Sequence, residues 1–192
     1  TIASSPLIWM FVFSEYQKNR FLALFRPEQF TNESFQQLLG LNALGSGGFW
    51  GTGFTKGIYT QGGIVPASEN DMIFTSIGEE TGFFGCIVSL GLLFAIVYRM
   101  IKIAKSSRDF STQLFCYGMA VMISAQVLIN IGMCLMILPV IGITLPFFSA
   151  GGSSTLCLYI GIGLVFSIYR FNRSRAAVNF RLSRISTPFS EF

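Results

Sequence analysis

"IVPASENDMIFTSIGEETGFFG", residues 64–85, joins a polar, acidic stretch to a long apolar run. Glu69, Asn70, Asp71, Glu79 and Glu80 crowd about three turns of any helix that forms here. Directly beyond them, residues 83–101 are almost wholly apolar and suit a membrane span, which takes about 20 residues. Carboxylates are costly near lipid and mark function where they occur there. The stretch therefore sets a cluster of acids at a membrane boundary.

Composition agrees with a membrane chain. Of 192 residues, 52% are hydrophobic and 11% charged, with a mean hydropathy of +0.60; soluble domains carry about 25% charged residues. Two further spans follow at residues 114–138 and 154–169. The last is short unless Leu145 to Gly152 also lies at membrane depth, where non-helical backbone must be buried in protein or face water. The first apolar run, Ile2 to Phe13, is too short to cross, so residues 1–16 read as a partial helix. The chain then reads as a piece of a longer protein, with helices upstream, and no basic leader suggests a signal peptide. With no His in the sequence, His-based triads and His zinc sites are excluded. Cys86, Cys116, Cys134 and Cys157 each sit in an apolar run without a CxxC pair, and read as small buried residues.

Charge orients the spans. Arg99, Lys102, Lys105 and Arg108 lie between the first two, and Arg170, Arg173, Arg175, Arg181 and Arg184 lie in the tail, residues 170–192. The connection 139–153 carries no charge. The positive-inside rule puts the loop and the tail in the cytoplasm and the connection outside. By alternation residues 17–82 form a large extracytoplasmic loop, with only Lys18, Arg20, Arg26 and Lys56 as cations. Within it "LGLNALGSGGFWGTGF" (39–54) is apolar and glycine-rich, with neither strand alternation nor a helical stripe. It reads as a re-entrant or interfacial loop. Gly78, Gly82, Gly85 and Ser89 have the spacing of a close helix-packing face. Asn130, in the middle of a span, needs a partner; a structural hydrogen bond is the first expectation and substrate contact the second.

Among the acids, Glu28 and Glu33 sit in polar sequence and read as solvated. Glu79 and Glu80 precede the first full span, where they could cap a helix start or contact substrate or metal. Asp71 stands where polar loop meets apolar helix, as a candidate general base or an N-cap. Arg20, in "YQKNRF", could anchor at headgroups or grip a phosphorylated head. These residues together point to an extracytoplasmic site at a membrane interface, suited to an anionic lipid.

Four ordered motifs sharpen this: "YQKNRF", "ALGSGGFWGTGF", "PASENDMIFTSIGEETGFFG" and "LPVIGITLPFFSAGGSS". Together they resemble the C-terminal half of the SEDS proteins (shape, elongation, division and sporulation), the family of RodA, FtsW and SpoVE. The resemblance runs from about Tyr16 to Tyr169. It implies an all-α polytopic membrane protein, the C-terminal portion of a ten-helix bundle with a large extracytoplasmic loop. It implies an inverting glycosyltransferase of the bacterial cytoplasmic membrane that polymerises lipid II (an undecaprenyl-pyrophosphate-linked disaccharide peptide) into glycan strands on the outer side. The implied partner is a class B penicillin-binding protein, which crosslinks; no nucleic acid is implied.

The family's essential aspartate lies five residues after a motif Pro, which here makes Asp71, after Pro66, the catalytic base. Arg20 and Lys56 become candidates to offset the leaving diphosphate. The acidic pair becomes Glu79 and Glu80, and the last motif supplies Ser149, Gly151, Gly152 and Ser153 as candidate substrate contacts. Ala150 stands where the family commonly has Tyr, which is similar to RodA-like members. The resemblance names no cofactor; a divalent cation could sit near Asp71 and the Glu pair, though no ligand spacing demands one. Two rival functions are a lipid II flippase, which needs polar residues along a path through the spans, and a non-catalytic scaffold for the transpeptidase. The missing upstream half implies that residues 1–192 alone are inactive.

Overall fold

In a computed structural model of the chain, residues 20, 22, 24, 31–65, 70–107 and 109–186 are described. The regular elements among these residues are all helices, with no strand. The helices are α1 (Thr31–Ser46), α2 (Ile58–Gln61), α3 (Ile73–Ser106), α4 (Phe110–Cys134) and α5 (Gly152–Ser186). Three of them, Ile73–Ser106, Phe110–Cys134 and Gly152–Ser174, are long and apolar enough to cross a membrane. The chain forms two compact units, residues 1–91 with 125–151, and residues 92–124 with 152–192.

Each long helix buries a narrow stripe. On α3 and the turn before it Met72, Thr75, Glu79, Gly82, Cys86, Ser89 and Leu93 are buried at alternating steps of three and four. On α4 the stripe is Cys116, Ala120, Ile123, Asn130 and Cys134, and on α5 it is Leu158, Gly161 and Val165. This is the seam spacing of packed helices. Small residues on the seam let helices close up: a Cβ on Gly161 would lie 2.3 Å from the Met119 Cε. Three cysteines are buried on these stripes as expected, but Cys157 is exposed, one position off the α5 seam.

The helix ends differ from the sequence expectation. α3 starts ten residues before Phe83, because residues 73–81 are helical ahead of a break at Gly82 (φ 69°, ψ −167°). α4 stops at Cys134 rather than running to Leu138. Met136 takes a left-handed φ of 56°, and the N–H groups of Ile137 and Leu138 both turn back to the Gly132 carbonyl, which closes the helix end. The last helix continues beyond Tyr169 to Ser186.

A larger difference lies in the glycine-rich stretch. Residues 39–46 are not loop but the second half of α1. The buried face of α1 is Gln37, Gly40 and Ala43, continuing to Gly47 just past its end. Its small residues give no apolar stripe in the sequence, yet they let α1 lie against α3. A Cβ on Gly40 would sit 2.5 Å from the Met72 Cε, and one on Gly78 would strike the Leu44 side chain. So the long segment 17–82 carries α1, α2 and the first turns of α3.

Candidate active site

The break at Gly82 builds the first part of the site. In an unbroken helix the carbonyls of Glu79 and Glu80 would accept from Phe83 and Phe84. Here Thr52 N–H donates to the Glu79 carbonyl at 2.9 Å and Gly53 N–H to the Glu80 carbonyl at 3.1 Å. Phe83 and Phe84 donate instead to the carbonyls of Gly48 and Phe49, at 3.0 and 3.2 Å. The segment 47–53 is thus spliced into the helix, and the carbonyls of Glu79 and Glu80 and the N–H groups of Phe83 and Phe84 all keep partners across the break. Such an approach has no room for side chains: a Cβ on Gly51 would lie 2.1 Å from the Glu80 carbonyl oxygen, and one on Gly82 would lie 2.3 Å from Gly51 N. Beside the splice Phe49 packs edge-on to Trp50, with ring centroids 5.1 Å apart.

Glu79 holds the next turn. It is 1% exposed. Its Oε1 accepts the N–H of Tyr59 at 2.8 Å and its Oε2 that of Thr60 at 2.9 Å. These are free amides of the first turn of α2, so Glu79 caps a helix start, though not its own. Glu80 is more open, and its Oε1 accepts from the Gln61 side chain at 2.9 Å.

Asp71 differs from both. It sits half-buried in the turn leading into α3. Among the described residues its carboxylate accepts no hydrogen bond, so it caps nothing; its Oδ2 lies 3.7 Å from where a Cβ on Gly142 would be. Its backbone is fixed from another helix: Asn130 Nδ2 donates to the Asp71 carbonyl and to the Ile143 carbonyl, each at 2.7 Å. Asn130 therefore makes the structural bond expected of it. Gln37 plays a similar part, donating to the carbonyls of Met133 and Leu138 at 2.9 and 2.8 Å. Arg20 Nη1 donates to the Val140 carbonyl at 2.5 Å. Arg20, Asp71 and Asn130 thus all meet the segment 140–143.

A structural match now joins this geometry. A family model described as "Cell cycle protein", for FtsW, RodA and SpoVE, matches residues 1–174. The chain belongs to the FtsW–RodA–SpoVE family. The peptidoglycan glycosyltransferase MrdB of Escherichia coli K12 is 33% identical over 165 residues, covering 85% of this chain and 45% of that protein. Stage V sporulation protein E of Bacillus subtilis is 33% identical over 177 residues, covering 90% of this chain and 47% of that protein. A solved structure described as "structural coordination of polymerization and crosslinking by a peptidoglycan synthase complex" matches with a TM-score of 0.70 at 28% identity, over 89% of this chain and 46% of the other. The crystal structure of a mutant of the Rod shape determining protein RodA from Thermus thermophilus matches with a TM-score of 0.51 at 39% identity, over 53% of this chain and 34% of that one. The chain spans about half the length of the curated relatives it matches. As an FtsW–RodA–SpoVE protein it is a multi-pass protein of the bacterial inner membrane.

The family's last motif is divided by the fold. Ser149 is buried, and its Oγ accepts the Leu145 N–H at 2.8 Å, closing a turn. Gly151 ends the first unit, while Gly152 and Ser153 open α5 in the second and are exposed. Lys56 is exposed, its stem lying over Gly53. Pro66 and Glu69 lie outside the described residues, as does all of the partial helix 1–16. Among the described residues no group of three or more His, Cys, Asp or Glu side chains gathers to hold a metal ion. The donor set for a divalent cation is thus not assembled by Asp71 and the Glu pair.

Sequence reasoning missed Gln37 and the role of Asn130 toward Asp71. Gln37 could have been found as the polar member of the small-residue face Gly40, Ala43 and Gly47. Nothing in the sequence names the carbonyls that Asn130 reaches.

Proposed function

We propose that the whole protein carrying this chain is a peptidoglycan glycosyltransferase that polymerises lipid II on the outer side of the membrane, beside a class B penicillin-binding protein. Asp71 is its general base. The observation that carries this is the contrast among the acids: the carboxylates of Glu79 and Glu80 are engaged by the loop, while that of Asp71 meets no donor among the described residues and is open to a substrate hydroxyl.

In this reading an Asp71 oxygen takes the proton of the acceptor sugar's 4-hydroxyl. The hydroxyl oxygen forms its bond to C1 of the donor sugar. The bond from C1 to the diphosphate oxygen breaks, and its electron pair leaves with the polyprenyl diphosphate, inverting C1. The guanidinium of Arg20 and the ammonium of Lys56 offset the negative charge that grows on the leaving group. Glu80, Gly151, Gly152 and Ser153 are candidates for contacting substrate. Glu79 and Ser149 serve it by shaping the walls.

The test is lipid II polymerisation by the purified whole protein with its transpeptidase. Asp71→Asn keeps the shape and removes the base, and the rate should fall about 10²–10⁴-fold while the transpeptidase still co-purifies. A near wild-type rate would remove Asp71 from the role. Lipid II movement across vesicles without polymer would instead favour a flippase.

A further inference from the structure

We propose that Asn130 is a positioning residue for Asp71, holding the backbone of the base and the segment around Gly142 as one unit; this rests on Asp71 being the base. Asn130 is fully buried on the α4 seam. Its amide has two N–H groups, and each has a carbonyl at 2.7 Å, one on Asp71 and one on Ile143. Two carbonyl acceptors require the nitrogen at this position rather than the oxygen. On the other side Oδ1 lies 4.0 Å from the Cys134 thiol. The amide's donors are thus spent on the protein, and none is left for substrate.

The two carbonyls flank the reacting group. Asp71 leads into α3, and Ile143 follows Gly142 in the connection between α4 and α5. Gly142, at φ 79°, is the residue that the Asp71 Oδ2 faces. Two residues earlier the Val140 carbonyl takes the Arg20 guanidinium. One side chain therefore ties the base to the segment that also seats the candidate cation. Without it, two part-buried carbonyls lose their donor, and the turn at residues 70–72 and the segment 141–143 can move apart. A base displaced by about 1 Å costs on the order of 10²-fold in rate. Substrate binding depends on other groups, so the loss should fall on kcat and spare KM.

The experiment uses the whole protein with its transpeptidase, and compares Asn130→Leu, Asn130→Ser, Asp71→Asn and the Asn130→Leu/Asp71→Asn double variant. Lipid II polymerisation gives kcat and KM, and hydrogen exchange reads the amides of residues 70–73 and 141–144. Asn130→Leu should lose about 10²-fold in kcat with little change in KM, and both amide groups should exchange faster. Asn130→Ser, which keeps one donor, should recover part of the rate. The double variant should be no slower than Asp71→Asn alone, because a residue that acts through the base has nothing left to position. Wild-type kcat in Asn130→Leu, or a loss that multiplies with that of Asp71→Asn, overturns the proposal. If Asn130→Leu does not fold, Asn130→Ser carries the same comparisons. A near wild-type rate in Asp71→Asn alone removes the base itself and this proposal with it, and that failure shows in a variant where Asn130 is intact.

Discussion

The N–H of Thr52 donates to the carbonyl of Glu79 at 2.9 Å, taking the acceptor that Phe83 would use in a continuous helix. This bond and its three neighbours turn a helix break into a joint between the glycine-rich segment and α3. The joint fixes the segment that leads, through Lys56, to α2.

The joint predicts a sharp glycine dependence. Gly82→Ala puts a side chain at a φ of 69° and 2.3 Å from Gly51 N. Backbone strain of this kind costs about 1–3 kcal/mol before the clash is counted. The thermal midpoint of the detergent-purified protein should fall clearly, whereas Gly91→Ala, where a Cβ meets nothing within 4 Å, should leave it nearly unchanged. Equal midpoints for the two variants would mean that the joint does not exist as described.

The two adjacent glutamates should separate in a stability assay. Glu79→Ala leaves the part-buried amides of Tyr59 and Thr60 without their acceptor, at about 1 kcal/mol for each bond lost. Exchange at these two amides should speed up. Glu80→Gln changes an exposed contact with Gln61 and should stay within about 0.5 kcal/mol. The reverse order would show that Glu80, not Glu79, secures α2.

Gln37 is expected to be a structural residue. It is 2% exposed and donates to two carbonyls at the end of α4. Gln37→Leu removes both bonds and should destabilise by about 1–3 kcal/mol, without changing KM for lipid II among the molecules that remain folded. A stable Gln37→Leu protein with a raised KM would make Gln37 a substrate contact instead.

Topology follows from charge. With native cysteines replaced, Lys56→Cys should react with a membrane-impermeant maleimide in intact cells, and Ser106→Cys should react only after the cells are opened. Both positions are exposed. Labelling of position 106 from outside would invert the orientation drawn from the positive-inside rule.

The sequence by itself determined that the chain is a set of apolar helices with acids at a membrane boundary. Hydropathy over about 20 residues is a local property, so the three long helices were readable without any knowledge of contacts. The motif order singled out Asp71 for the same reason, since Pro66 and Asp71 are near neighbours in the chain. Only the tertiary structure decided which acid is left open, because the amides that occupy Glu79 come from residues about 20 positions away. It also revealed α1, whose buried face of Gln37, Gly40 and Ala43, continued by Gly47 past its end, packs through small residues at close approach and so carries no hydropathy signal. The anchoring of Asp71 by Asn130 spans 59 positions. A side-chain amide can find such a carbonyl only after the helices have packed, and the residue types alone name no partner.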